Sequence, residues 1–432
     1  MLSAKWLSHH FRQQNFSPVP TNLIFDAIRV KNLPDGHRRL IYTEVDVLNK
    51  LTNSALGHSL LAILALSCVV ESDAADSQLE RVPQSGLQPQ IVRGNDGTIH
   101  LLFFRGEAAN GDLFYCRRSA SEQSFSTPLR VNSESQSAIA TGTIRGGQIA
   151  LGSAGRVHVA WNGSRNAKPA GPKGETPLLF TRLNDAGTAF EPQQNLIDKA
   201  YGLDGGCCLA ADGHGKVYVA WHAGDGTGEE SRRVWLKTST DDGATFSAER
   251  SIDANRAGVC GCCGMFGSVA ENGEVMFLYR SAKHKVDRDT WLLTSATGQE
   301  FQSSNLHGWK IEACPMSSYT LAHQGQNSWA AWETNGQIYL AQVRGSGANP
   351  HPVAAPGKAG QRKHPRLTLG ANGRMLLVWT EGTGWNRGGG LAWQEFDSAG
   401  RPTDERGRAD GIPVWSFAGA WQDAANGWHI IY

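Results

Sequence analysis

The chain has 432 residues, of which 50 are Gly and 14 are Trp. Its 41 Lys+Arg and 40 Asp+Glu nearly cancel, giving +1, so no global charge draws it to nucleic acid or an anionic membrane. An apolar share of 40%, with 15 Phe and 8 Tyr, is too rich for a disordered chain, and the Gly excess favours many short strands and turns.

Residues 1–47 carry little Gly and no turn-spaced strand pattern. They are followed by an apolar run, Leu60–Val70 (LLAILALSCVV). A bilayer span needs about 20 such residues, so this run is too short. It fits the core of a signal peptide, and Ser72-Asp73-Ala74 offers small residues before a cleavage point. The competing reading is a short buried helix. The expectation is a misannotated or disordered leader over 1–47, a signal peptide over 48–75 and a folded domain over 76–432. The mature protein would then be exported to the periplasm, cell surface or medium, with no membrane span.

Beyond residue 90 a pattern recurs: a Gly turn, then a strand ending in an aromatic and a polar residue. It begins at Gly97 (GTIHLLFFR), Gly155 (GRVHVAWNG), Gly215 (GKVYVAWHA), Gly273 (GEVMFLYRS), Gly325 (GQNSWAAWET), Gly373 (GRMLLVWTE) and Gly427 (GWHIIY). The spacings are 58, 60, 58, 52, 48 and 54 residues. A Gly-, Ala- and Ser-rich strand precedes each one, making an A–B pair. In the first six units a C strand follows, as in Leu178–Thr181 or Val234–Thr238, rich in aromatic and β-branched residues. Four short strands repeated at this period predict an all-β fold, a single β-propeller. The count gives seven blades, or six if one pair is degenerate. The seventh lacks outer strands, and a strand near Leu79–Val82 is expected to complete it.

Ser239-Thr240-Asp241-Asp242-Gly243-Ala244-Thr245-Phe246 matches S-x-D-x-G-x-x-[WF]. Weaker copies stand at Asn184–Phe190, Ser295–Phe301 and Ser121–Phe125. This octapeptide resembles the Asp-box, or BNR repeat, of sialidase-like propellers. The resemblance implies a turn joining the third and fourth strands at the outer rim. It also implies, for true exo-sialidases, an Arg trio for a carboxylate, a Tyr–Glu nucleophile pair and an Asp acid/base. The first Arg of that trio normally opens blade one in an R-I-P sequence. Here Gln88 stands in its place, and Arg81-Val82-Pro83 lies six residues earlier.

Propeller topology brings strand-A starts and strand-B ends to one face, where ligand sites open around the channel. Arg105, Arg280 and Arg366 are the candidates to clamp a carboxylate or sulfate through forked hydrogen bonds, with His222 beside them. Asp204, Glu333 and Glu381 are the candidate acid/base residues. Each of these also has a plainer reading as a solvated or mutually paired strand end. The functional expectation is a propeller that binds, and in one version hydrolyses, an anionic glycan at the channel mouth. The alternatives are a non-catalytic carbohydrate- or protein-binding scaffold and a true exo-sialidase.

Six cysteines fall at strand-A starts of three consecutive blades: Cys207, Cys208, Cys260, Cys262, Cys263 and Cys314. In an exported protein such a set predicts disulfides, with fifteen possible pairings. A soft-metal site is the sharper alternative and redox chemistry a third. Disulfides are preferred, so no metal is expected. Cys116, on strand C of blade one, is expected to be a buried free thiol. No phosphate-binding Gly loop, H-E-x-x-H or G-x-S-x-G is present, so no cofactor is expected. Oligomeric state leaves no signal.

Overall fold

The computed structural model describes residues 77–432 apart from 201, 225–226, 254–257 and 344–349. The leader and signal-peptide expectations lie outside the described residues. The described chain is all-β: seven sheets arranged in sequence, six of them four-stranded with A-B-C-D order. Blade one runs from Leu87–Arg93 through Ile99–Glu107 and Asn110–Arg118 to Leu129–Arg130. Blade three runs from Cys208–Ala211 to Arg250–Ser251, and blade six from Arg362–Leu369 to Pro402–Ile412. This is the propeller architecture that the Asp-box resemblance implied, with seven blades.

The seventh sheet holds Gly419–Gln422, Trp428–Ile431 and the N-terminal strand Gln78–Glu80. The last pairs in parallel with the C-terminal strand, Gln78 opposite His429 and Glu80 opposite Ile431. It takes the third-strand position and forms the outer edge of this three-stranded sheet. The junction is also charged: His429 Nδ1 sits 2.8 Å from Glu80, His429 Nε2 3.1 Å from Asp423, and Arg118 of blade one 3.2 Å from Glu80.

The core lies between blades. Strand B alternates so that its aromatics pack on the preceding blade: Trp161 joins Tyr115 and Val131 of blade one, and Trp221 joins Ala160 and Phe180 of blade two. Trp161, Trp221, Trp332 and Trp421 are all buried, as packing residues rather than sugar platforms. Truncating such a side chain to Ala typically costs about 3–5 kcal/mol.

The Asp-box turn occupies the connection between strands C and D of blade three. Ser239 Oγ accepts the Gly243 N–H at 2.8 Å, and Asp241 Oδ1 accepts the Thr245 N–H at 2.9 Å. Gly243 has φ +78°, and a Cβ there would also fall 2.8 Å from Phe180. Phe246 meets Phe180 edge-on at 4.8 Å. Asp242 does something the motif does not announce: it leaves its own blade. It accepts the Ser153 N–H at 2.9 Å, Arg156 Nε–H at 2.7 Å and His158 Nε2–H at 3.2 Å, all in blade two.

Candidate functional site

The A strands line a central channel. Its wide part, about 1780 Å³, opens on the face of the A–B turns, among Asp96, His100, Asp212, His214, Glu271 and Asp423. The opposite face, where strand-A starts and strand-B ends meet, was expected to hold an open mouth. It is stoppered instead. The segment linking blades one and two, residues 132–147, crosses it: Ala138 bridges Gly111 and Gly163, and Ala140 N–H donates to Ala108. Ile144 lies over blades three and four, against Gly206 and Gly264. With Met265 and Phe417, both buried, it leaves a cavity of only about 20 Å³.

Gln88, in the place of the expected arginine, anchors this stopper. Its Nε2 donates to Ala140 O at 2.7 Å and Trp415 O at 2.8 Å. Arg81 serves the rim: it donates to Gly411 O and stacks on Tyr432.

The three arginines expected to clamp a carboxylate do not converge with free donors. Arg280 is fully buried, and its terminal nitrogens donate to Arg288 O and Glu333 O, each at 2.5 Å. Arg366 donates to Tyr319 O and Pro365 O, near Gln90, and stacks on Phe417. Arg105 is near the surface of blade one, bonded to Gln84 and stacked on Phe114. Arg105 and Arg280 stand on the B strands of blades one and four and Arg366 on the A strand of blade six, and successive strand residues point to opposite sides, so the three face different surroundings.

The candidate acids are also engaged. Glu333 accepts from Ser317 Oγ at 2.5 Å and Gly336 N–H at 2.8 Å. Glu381 accepts from Arg362, Trp379 and Arg408. Asp204 pairs with Arg145 at 2.5 Å, yet its side chain stays about half exposed. His222 is buried; burial first, then the Arg232 charge, push its pKa down to about 3. Arg232 donates to its Nδ1 at 3.0 Å, so Nε2 carries the proton and donates to Cys263 O at 2.8 Å. It is a neutral tie between blades three and four.

The cysteines correct another expectation. All seven described cysteines are free thiols, so the disulfides expected among Cys207, Cys208, Cys260, Cys262, Cys263 and Cys314 are not formed. Cys207 and Cys208 point to opposite sides of blade three, Cys207 into the packing with blade two and Cys208 into that with blade four. Strand alternation therefore separates them. Burial pushes the Cys207 thiol up to about 12. Cys116 is a buried free thiol, as expected. The others gather: Cys260 Sγ lies 3.1 Å from Cys263 Sγ and 3.4 Å from Cys262 Sγ. Cys314 of the next blade reaches Cys262.

Sequence reasoning missed Trp385. It sits in the tight turn closed by the Gly384 and Arg387 backbones, on the stoppered face, and is 60% exposed. Trp415 holds it edge-on at 6.4 Å. Gly142 of the stopper lies between Trp385 and Arg145: a Cβ there would be 3.3 Å from the indole and 2.3 Å from Arg145 Nη1. Arg145 in turn donates to Thr141 O and to both the carbonyl and the carboxylate of Asp204. An exposed indole and a half-exposed carboxylate thus share one surface. An isolated tryptophan in a connecting turn gave the repeat pattern nothing to mark it by.

No family model matches this chain, and no curated protein does. Among solved structures it is similar to the polysaccharide lyase Uly1, at 13% identity and TM-score 0.45, over 73% of this chain and 78% of that one. It is also similar to a Hadza microbial sialidase, at 13% identity and TM-score 0.46, over 73% and 70%. A third is the α-L-arabinanase of Penicillium chrysogenum complexed with arabinobiose, at 11% identity and TM-score 0.45, over 76% and 97%. These likenesses are of architecture alone.

Proposed function

We propose that the protein is an exported carbohydrate-binding propeller that receives a glycan on the stoppered face, across Trp385, Asp204 and Arg145. The observation that carries this reading is the exposed Trp385 ring, fixed from behind by Trp415 and joined through Gly142 and Arg145 to Asp204. An indole held on one side and open on the other offers a flat apolar surface at little entropic cost. Asp204, held by Arg145, supplies an acceptor for hydroxyl groups. A neutral sugar is favoured over an anionic one, because the expected cationic clamp is spent on protein carbonyls. Hydrolysis is not favoured: Glu333 and Glu381 are each held by internal donors.

The test is a glycan array followed by calorimetry on the best ligand. Trp385→Ala should lower affinity about 30-fold, the loss of a typical aromatic anchor worth about 2 kcal/mol. Asp204→Asn should weaken it less, with circular dichroism unchanged in both. A glycan that binds equally well to both variants, or no glycan binding at all, would overturn the reading. Turnover of an aryl glycoside that disappears in Glu333→Gln would favour a hydrolase instead. N-terminal sequencing of secreted material should find the chain starting near Asp76.

A further inference from the structure

We infer that Cys260, Cys262, Cys263 and Cys314 form a thiolate site for a soft closed-shell cation, Cu(I) or Zn²⁺, on the rim of blades four and five. The first three sulfurs lie within 4.8 Å of one another, and Cys314 reaches Cys262 from the next blade. The two sulfur separations of 3.1 and 3.4 Å exceed a disulfide bond, of about 2.05 Å, by more than an ångström. They fall about 0.7 and 0.4 Å short of the spacing of about 3.8 Å between thiolates that each sit about 2.3 Å from a tetrahedral metal. A small outward breathing of the turn therefore admits an ion, whereas a disulfide would require closing the gap.

Charge supports the same assignment. Three thiolates on Cu(I), or four on Zn²⁺, each leave a net charge of −2. Arg232, Arg280 and Arg288 all interact electrostatically with these sulfurs. The Nε–H groups of Arg232 and Arg280 are buried and have no hydrogen-bond partner. Arg232 Nε sits beside Gly261, 3.4 Å from where a Cβ would stand. Arg288 also pairs with Glu229 at 2.8 Å, but the buried, unpartnered Nε–H groups of Arg232 and Arg280 are expensive unless they meet anionic sulfur.

The turn is held from outside, as ligand-bearing loops are. Cys260 N–H donates to Arg280 O at 2.9 Å and Gly261 N–H to Glu229 Oε1 at 2.9 Å. His222 Nε2–H holds the Cys263 carbonyl, and Gly264 N–H donates to Ser317 O at 3.0 Å. Cys260 and Cys263 are buried, Cys262 is half-buried and Cys314 exposed, which gives an ion a path inward. Soft thiolate sets select Cu(I) and Zn²⁺ over harder ions.

The full-length protein, reduced and desalted anaerobically, would be titrated separately with Zn²⁺ alone and with Cu(I) alone. Binding would be followed by elemental analysis and by protection of thiols from a maleimide. The expected result is one equivalent of metal with three or four thiols protected. Cys262→Ser, at a half-buried position, should lower affinity more than about 100-fold, beyond the loss typical of an outer partner, with circular dichroism unchanged. Cys314→Ser separates the ions: it should weaken Zn²⁺ and spare Cu(I) if copper is held by the trio alone. Failure of both metals to bind stoichiometrically to the reduced protein would overturn the site. So would binding that is unchanged in Cys262→Ser, or a protein that re-forms a Cys260–Cys263 disulfide in preference to holding either metal.

Discussion

Replacing Asp242 with Ala tests how far a rim turn in one blade secures the next. Asp242 accepts three donors of blade two: Ser153 N–H, Arg156 Nε–H and His158 Nε2–H. Burial pushes the carboxyl up, but the Ser153 N–H, the His158 contact and the Arg156 hydrogen bond hold it below its ordinary value of 3.8. Removing it leaves the Ser153 amide and the buried His158 imidazole without acceptors, at about 1–3 kcal/mol each when desolvated. Arg156 keeps Asp185 and Leu183 O, so its share is small. The total is about 2–6 kcal/mol. Unfolding entropy near 2.1 cal/mol/K per residue over roughly 350 residues converts this to a fall in Tm of about 3–8 °C. Calorimetry at pH 7 would measure it. Asp241→Ala is the matched control, because Asp241 is exposed and its carboxylate bonds only within its own turn, to Ser239 and Thr245. The advantage of wild type over Asp242→Ala should be full above pH 4 and shrink as pH falls through the depressed native value. A Tm change under 1 °C, or one no larger than the Asp241→Ala change, would refute the reasoning.

The ring closure yields two further expectations. Deleting Ser77–Val82 removes the parallel pairing with His429–Ile431 and the Glu80 carboxylate; the truncated protein should unfold at lower urea and self-associate through the bared edge, as read by size-exclusion chromatography. His429 behaves oppositely to Asp242. Burial lowers its pKa, but the Glu80 and Asp423 hydrogen bonds outweigh this and raise it above 6.5. Its contribution to stability is therefore complete below pH 6.5 and is lost as pH rises through the raised native value. Urea midpoints between pH 5 and 9 should show that decline, and His429→Asn should flatten it.

The repeat was legible because each blade states its own A–B pair. The glycines from Gly97 to Gly427 mark seven turns, and the structure places seven A–B pairs on them. The closing strand was expected over Leu79–Val82 and is found over Gln78–Glu80, a shift that reflects how short an edge strand is. The thiol cluster was legible as a gathering of cysteines at neighbouring strand starts. Its oxidation state was not, because compartment statistics speak to the average exported protein and not to the orientation of Cys207 against Cys208. The arginines misled for a related reason. A strand end supplies a guanidinium to a face, but only neighbouring carbonyls decide whether its donors are left over, and for Arg280 both terminal nitrogens are taken, leaving only the buried Nε–H. The stopper and Trp385 belong to connections whose partners lie far off in sequence, Gln88 with Trp415 and Gly142 with Trp385. No periodic pattern reports such pairs.

The stopper turns the hub from a tunnel into a blind well. A solute entering among the A–B turns must leave by the same opening, and it meets a floor of Ile144, Met265 and Phe417 before it can touch anything on the sulfur-bearing side. Two different guests could therefore occupy the two ends of the wheel at once, and the affinity of each would be blind to the other unless that floor shifts.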